Sequence, residues 1–163
     1  MKNNQQKVKP SFGNVTPYAP DAEKAVLGAL INFREAFDNV SFLIPDMFYD
    51  PGHQALFQAI VSLQKRDAPL DMITISQEIA TMGKTEDIPI WQIGELASFV
   101  VSSAHVVHHA LIIKQKYLQR EAIQLALQIQ SQAADDVNDI GDVLYNAEKR
   151  FEALQEALVG QQE

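Results

Sequence analysis

A long stretch without proline or glycine, from Ser103 to Ala134, constrains the fold of this chain more than any other segment. Apolar residues recur along it at steps of three, four or seven, which places them on one face of a helix. These residues are Val107, Leu111, Leu118, Ala122, Leu125, Ile129 and Ala133. At 1.5 Å per residue this face would be about 39 Å long, which exceeds the width of a small domain. We therefore expect part of the helix to project beyond the core of the protein.

A second helical stretch, from Asn138 to Leu158, follows after a short acidic connection. Its apolar residues alternate steps of four and three, which is the spacing of a coiled-coil seam. They are Ile140, Leu144, Ala147, Phe151, Leu154 and Leu158. So short a connection favours an antiparallel pair of helices. The sequence therefore predicts a projecting helical hairpin over residues 102–158 whose apolar seam needs a partner.

The preceding residues predict a small helical bundle, so we expect an all-α protein. Hydrophobic residues make up 47% of the 163 positions, which is enough for one domain with a sizeable core. Residues 1–19 are polar and contain several lysines and prolines, as is typical of a disordered leader. Residues 20–101 are expected to form the bundle, with helices that begin near Pro20, Arg34, Pro51, Asp71 and Pro89. The bulky segment Pro45–Tyr49 is expected to plug its core.

Local signals indicate where these helices begin, end and pack. We expect Asp71 to cap the fourth helix, with Met72 on its inward face, and Ser102 or Ser103 to cap the long helix. Gly83 is expected to end the fourth helix in a left-handed conformation. Glycine inside a helix is destabilising, so Gly28 indicates that a neighbouring helix approaches closely there.

Composition and charge exclude several classes of protein. The net charge is −8, whereas binding to nucleic acid without sequence preference depends on lysine and arginine that neutralise phosphates. We interpret the local basic cluster of Lys114, Lys116 and Arg120 as a solvated helix face. The absence of cysteine excludes disulfides and thiolate metal sites. With neither a signal peptide nor an apolar run long enough to span a membrane, the chain is expected to be cytoplasmic.

Two motifs look like ligand sites but fit a structural role better. Gly83–Thr85 resembles the end of a phosphate-binding loop, but the required glycine position is occupied by Glu78, and no strand precedes it. His105, His108 and His109 offer two ligands on one helix face, whereas structural zinc requires four. No nucleophile with a neighbouring base is apparent. We therefore predict no catalytic, cofactor-binding or metal-binding residue.

Three stretches together resemble the N-terminal domain of the DnaB-type replicative DNA helicases. They are Asp21–Leu30 (DAEKAVLGAL), Ile44–His53 (IPDMFYDPGH) and Ala68–Ile75 (APLDMITI). Their order and spacing agree with the family over about residues 17 to 158.

The sequence departs from the family pattern in two places. The stretch Lys84–Ile93 lacks the usual pair of glycines, and His105–His109 stands where asparagine and tyrosine are expected.

The resemblance implies a helical bundle followed by a projecting hairpin that pairs between subunits, with six copies in a collar above a motor ring. It also implies docking of primase and, in some systems, of a helicase loader. By position, the assembly surface would comprise Leu118, Ala122, Leu125 and Ile129 on one arm and Leu144, Ala147, Phe151 and Leu154 on the other.

The family's ATPase domain is absent from these residues, and residues 159–163 would begin the linker to it. ATP and magnesium would bind in that motor domain. The resemblance therefore favours a fragment of a helicase that neither hydrolyses ATP nor unwinds DNA by itself.

Three alternatives stay open. The helicase-binding domain of bacterial primases shares the bundle and hairpin, although the order of the motifs and the N-terminal leader favour the helicase. The others are a small metal-binding helical protein or enzyme built around the histidines and a DNA-binding module.

Overall fold

The structure, a computed structural model, describes residues 16–100 and 102–159. Within these ranges the chain forms seven α-helices, a 3-10 turn at Pro45–Met47 and no strand, which confirms the all-α fold. The helices are α1 (Pro20–Asn32), α2 (Ala36–Asn39), α3 (Pro51–Lys65), α4 (Met72–Thr81), α5 (Ile90–Phe99), α6 (Val106–Ala133) and α7 (Ile140–Val159). We call residues 16–100 the head, and helices α6 and α7 the hairpin. Most of the predicted leader and the predicted linker after Val159 lie outside the described residues.

Helix α1 is the central element of the head, since it packs against α3, α5 and α6. Its inward residues Val26, Leu27 and Leu30 are completely buried. Each such side chain contributes about 1.5 to 3 kcal/mol of hydrophobic stabilisation. Gly28 faces α5, where a Cβ atom would lie 2.4 Å from the carbonyl oxygen of Leu96. The close approach predicted from this glycine is therefore confirmed.

Most of the predicted helix ends are confirmed. The side chain of Asp71 accepts hydrogen bonds from the backbone N–H groups of Ile73 and Thr74. The N–H of Asp71 donates in return to Oγ1 of Thr74 (3.1 Å), which completes a capping box at the start of α4. Gly83 follows α4 with a φ of 69°, in the left-handed region.

The prediction of a serine cap on the long helix is wrong. Helix α6 begins at Val106 after His105, which makes no side-chain capping bond. The hydroxyl of Ser102 accepts a hydrogen bond from the N–H of Ala104 instead, one turn too early to cap the helix.

The second helix, which the sequence predicts over about residues 34–43, spans only Ala36–Asn39. After Asn39 the chain continues in tight turns, with hydrogen bonds from the N–H of Val40 to Phe37 and from the N–H of Leu43 to Val40. These turns bury the side chains of both Val40 and Leu43. The next segment plugs the core as expected with Met47 and Phe48, whereas Tyr49 is exposed.

Helix α6 belongs to two packing units. Its first half buries Val106, Ala110 and Ile113 in the core of the head. Its second half buries Leu125 against α7, which contributes Val143 and Ala147. At about 100° per residue, the face that contacts the head and the face that contacts α7 differ by roughly a quarter turn.

The single apolar face predicted for α6 is therefore wrong in its first half. Val107 and Leu111, which the periodicity placed inward, are exposed. Apolar residues recur every three or four positions along the whole helix. The first half of α6 packs on the head, however, and the second half packs on α7 with a different side. The hairpin itself is antiparallel as predicted.

Candidate assembly and docking surfaces

The residues predicted to form an assembly surface on α7 divide into two sets. Ala147 is only 8% exposed, and Leu154 is half-buried. Leu144 and Phe151 are 59% and 47% exposed, respectively. Ala147 and Leu154, which are seven residues apart, therefore pack within the hairpin. Leu144 and Phe151, which are also seven residues apart, are accessible to another molecule.

The residues predicted on α6 divide in the same way. Leu125 is almost fully buried, and Leu118 and Ile129 are half-buried. Ala122 is exposed. This arm thus mainly provides the interior of the hairpin, although Ile123 and Leu127, which the periodicity did not single out, expose their side chains.

Four exposed apolar side chains of α7 lie in a row along the helix, which we call the α7 stripe. Successive members are four, seven and seven residues apart, so they lie on one side of the helix. The members are Ile140, Leu144, Phe151 and Leu158, and all of them are exposed. An extended row of exposed apolar side chains is typical of an interaction site.

Several exposed apolar side chains also lie on α4 and α5, and we call this set of side chains the head patch. It consists of the exposed side chains of Met72, Ile73, Ile90, Trp91 and Phe99. Met72 was predicted to face the core, but it lies over Gly94 of α5, where a Cβ atom would be 3.6 Å from its sulfur.

The edge of the head patch borders a cleft of about 140 Å³. Trp91, Phe99 and Lys24 are among the residues that line this cleft. The head patch was not predicted from the sequence. The signal that could have revealed it is the composition of α5, which has more apolar residues than one helix face can bury.

A buried polar pair joins α1 to the start of α3. Nδ1 of His53 lies 2.7 Å from Oε2 of Glu23, and each side chain is only 2% exposed. The other carboxylate oxygen of Glu23 accepts a hydrogen bond of 2.7 Å from the N–H of Tyr49. Glu23 was predicted only to complement the helix dipole, so its central role in packing was missed.

The interpretation of the basic cluster as a solvated face is wrong for two of its three members. Lys114 is buried, and its ammonium group lies 5.7 Å from the centre of the Phe42 ring. Burial lowers the pKa of Lys114, because the charged form is poorly solvated there. Arg120 donates hydrogen bonds to the carbonyl oxygens of Pro17 (3.0 Å) and Met47 (2.8 Å).

Tyrosines surround Arg120. The guanidinium carbon is 5.5 Å from the ring centre of Tyr49 and 5.9 Å from that of Tyr117, distances that fit cation–π contacts. Tyr18 packs on Tyr49 with their ring centres 4.7 Å apart. Burial, together with the nearby carboxylate of Glu23, raises the pKa of Tyr18 to about 12.

The three histidines lie at the start of α6. The ring centre of His109 is 6.4 Å from that of His105 and 5.9 Å from that of His108. Burial and the neighbouring histidines lower the pKa of His109. In residues 16–100 and 102–159, no group of three or more histidine, aspartate or glutamate side chains is arranged to hold a metal ion.

The lysine of the Gly83–Thr85 motif has a structural contact. Nζ of Lys84 donates a hydrogen bond of 3.0 Å to Oε1 of Gln58 on α3. Among the described helices, none is long and apolar enough to cross a membrane.

A helical head, a projecting hairpin and two exposed apolar surfaces define the class of protein as a helical interaction domain. Residues 15–115 match the family model of the DnaB-like helicase N-terminal domain. The chain belongs to this family, which confirms the resemblance and disfavours the rival primase and metal-binding alternatives.

Curated relatives are replicative helicases. The chain is 35% identical to the replicative DNA helicase DnaB of Rhodothermus marinus over 138 residues, which is 83% of this chain and 15% of the relative. It is 32% identical to the replicative DNA helicase DnaC of Bacillus subtilis over 135 residues, which is 82% of this chain and 30% of the relative. The chain therefore spans less than a third of the length of these two proteins.

Solved structures support the fold. The crystal structure of the N-terminal domain of DnaB helicase from Mycobacterium tuberculosis matches with a TM-score of 0.79 and 26% identity, over 85% of this chain and 99% of that one. A structure that describes a DnaB-like replicative helicase and its interactions with primase matches with a TM-score of 0.67 and 21% identity, over 85% of this chain and 31% of that one. At that identity the second match supports the fold alone.

Proposed function

We propose that this domain is the assembly and partner-docking part of a replicative DNA helicase, and that copies of it associate through the hairpin. In the parent protein such contacts would build the hexameric collar, while a separate motor domain would bind ATP and magnesium and unwind DNA. We propose no cofactor-binding residue in this domain and little direct contact with DNA. The proposed site of action is the cytoplasm.

The observation that supports self-association is the α7 stripe. From Ile140 to Leu158 it would be about 27 Å long, so two copies could pair along most of the hairpin. A two-fold contact uses the same surface on both partners, and a single uniform stripe suits that symmetry. Each half-exposed side chain that becomes buried contributes roughly 1 kcal/mol, and the free energy lost on association offsets a large part of the sum, so we expect a weak dimer that dissociates on dilution.

The test is the solution mass of the chain, measured by light scattering on a sizing column over a concentration series. The double variant Leu144→Gln, Phe151→Gln should have the mass of a monomer where the unmodified chain has that of a dimer or larger oligomer. Glutamine keeps the helix propensity high and adds no charge. Ala153→Gln is the matched control, because Ala153 is exposed and lies on the opposite side of α7 from the stripe.

Two results would contradict this proposal. One is a double variant that stays folded and keeps the mass of the unmodified chain. The other is an unmodified chain that is a monomer throughout the series, since assembly would then depend on other parts of the parent protein.

We also propose that the domain docks primase, with a helicase loader as a further partner. The proposal is supported by the fold it shares with a helicase whose structure is described together with its primase interactions, and by the exposed head patch. Retention of the cognate primase on the immobilised domain tests it. Loss of retention with Trp91→Gln but not with the Leu144→Gln, Phe151→Gln variant would assign docking to the head patch, whereas a folded domain that retains no primase would contradict the proposal.

A further inference from the structure

Arg120 lies at the point where α6 leaves the head. The preceding residues Ile113 and Tyr117 still contact the core of the head. Leu125, the next buried residue, packs in the hairpin instead. Within the described residues, no side chain of α6 beyond Arg120 belongs to the core of the head or forms a hydrogen bond with it. Arg120 is therefore the outermost attachment of the long helix to the head.

The hydrogen bonds of Arg120 join three distant segments of the chain. One donor reaches the carbonyl oxygen of Pro17, which is 103 positions away, and another reaches that of Met47, which is 73 positions away. A guanidinium group presents its donors in a fixed plane, so two such bonds restrict both the position and the rotation of the side chain.

Aromatic rings complete this arrangement. The rings of Tyr49 and Tyr117 lie against the guanidinium group, and Tyr18 packs against Tyr49. The segment before α1 is thus held against the loop that follows the 3-10 turn, and both are held against α6. We call these four side chains together with the carbonyl groups of Pro17 and Met47 the Arg120 clamp.

The clamp is placed where small movements have large effects. Ala133, the last residue of α6, lies thirteen positions after Arg120, so α6 extends about 20 Å beyond it. A rotation of about 10° at the clamp would move the tip by roughly 3 to 4 Å over that length. Helix α7 makes its principal contacts with α6 alone and would follow that movement.

We propose that the Arg120 clamp fixes the direction in which the hairpin leaves the head, and that the segment at Pro17 and Tyr18 locks it. Release of that segment would free the hairpin to swing while the core of the head stays folded. The proposal concerns a single chain and does not depend on self-association.

Distances between spin labels on the head and the hairpin test the clamp. The chain has no cysteine, so Gln77→Cys on α4 and Ser131→Cys near the end of α6, both at exposed helical positions, introduce the two labels. An excess of unlabelled chain suppresses distances between copies. With Arg120→Gln or Arg120→Lys, the distance distribution should broaden by about 3 Å, the displacement expected near the tip.

Arg150→Lys is the matched control. Arg150 is also an arginine of the hairpin, but it contacts Gln128 and Glu121 of α6 rather than the head. Its replacement should therefore leave the head-to-hairpin distance unchanged.

Tyr18→Ala gives an independent test, because it opens the clamp without changing α6 and should broaden the same distribution. It also keeps the test valid if a variant of Arg120 fails to fold. If these residues only stabilised the fold, their replacement would lower the melting temperature without changing the distances between the spin labels. Folded variants at Arg120 and Tyr18 whose distances match those of the unmodified chain would overturn the proposal.

Discussion

Glu23 and His53 illustrate how single polar side chains organise the head. Each is 2% exposed, and the carboxylate of Glu23 accepts hydrogen bonds from both His53 and the N–H of Tyr49. The Nε2 atom of His53 has no protein partner among the described residues. In a buried site, removal of one member of such a pair leaves the polar atoms of the other without a partner. The stability lost in this way is larger than the net stability that the intact pair contributes.

We therefore predict that Glu23→Ala lowers the free energy of unfolding by about 3 to 5 kcal/mol, because it removes the partner of the buried His53 ring and the acceptor of the part-buried N–H of Tyr49. Glu86→Ala, at an exposed position of the same head, should change it by less than about 0.5 kcal/mol. Urea unfolding followed by circular dichroism measures both values; fluorescence of the exposed Trp91 is a poorer probe. Equal values for the two variants would show that the buried pair does not contribute to stability.

These contacts could not be predicted from the sequence, because their partners are far apart along the chain. Glu23 and His53 are separated by 30 positions, and Arg120 and Pro17 by 103. Periodicity identifies which face of a helix is apolar, but it does not reveal which distant side chain a charged residue meets. Both Glu23 and Arg120 therefore looked like ordinary solvated residues.

At the level of helices, the packing of α1 on α5 depends on Gly28. A Cβ atom at this position would lie 2.4 Å from the carbonyl oxygen of Leu96 and 3.0 Å from a methyl group of Val100. The first of these atoms belongs to the backbone and cannot move aside unless α5 moves. Gly94, on α5 itself, is different, since the nearest atoms to a Cβ there are 3.6 Å away on the side chain of Met72.

We predict that Gly28→Ala destabilises the domain by about 1 to 2 kcal/mol, because the forced separation of the helices outweighs the higher helix propensity of alanine. Gly94→Ala should be neutral or stabilising by up to about 1 kcal/mol, since alanine fits there. The midpoints of urea unfolding for the two variants test this pair of predictions. A Gly28→Ala variant at least as stable as Gly94→Ala would contradict it.

Helix positions were predicted well wherever local signals determine them. The starts of α1, α3 and α4 follow from proline and aspartate at their first turns, and the end of α4 follows from Gly83. The face of α6 was predicted poorly in its first half. A single helix that packs on the head with one side and on α7 with another produces a mixed pattern, and periodicity alone reads it as one face.

The same limit applies to the proposed surfaces. The heptad of α7 predicted the helix itself and identified the apolar residues along one side of it. It could not separate Ala147, which packs within the hairpin, from Leu144, which is exposed. That distinction depends on where α6 lies, which only the folded structure provides.

In the whole molecule, buried hydrophobic side chains are divided unequally between the head and the outer hairpin. The core of the head combines residues from all of α1 to α5 and from the first half of α6. The outer hairpin has only a small separate cluster of Leu125, Val143 and Ala147. Isolated helices are marginally stable in water, so an element held by so few buried contacts should open locally without unfolding the head.

The final prediction follows from this division and concerns amide hydrogen exchange. In a dilute sample, amides of α7 should exchange much faster than those of α1, because the hairpin opens while the head stays closed. Raising the concentration by about a hundredfold should slow exchange in α7 and leave α1 unchanged, since association stabilises only the surface that it buries. The Leu144→Gln, Phe151→Gln variant should show fast exchange in α7 at every concentration. If α7 were instead as protected as α1 in the dilute sample, the hairpin would be stable alone, and its exposed stripe would not be needed to hold it together.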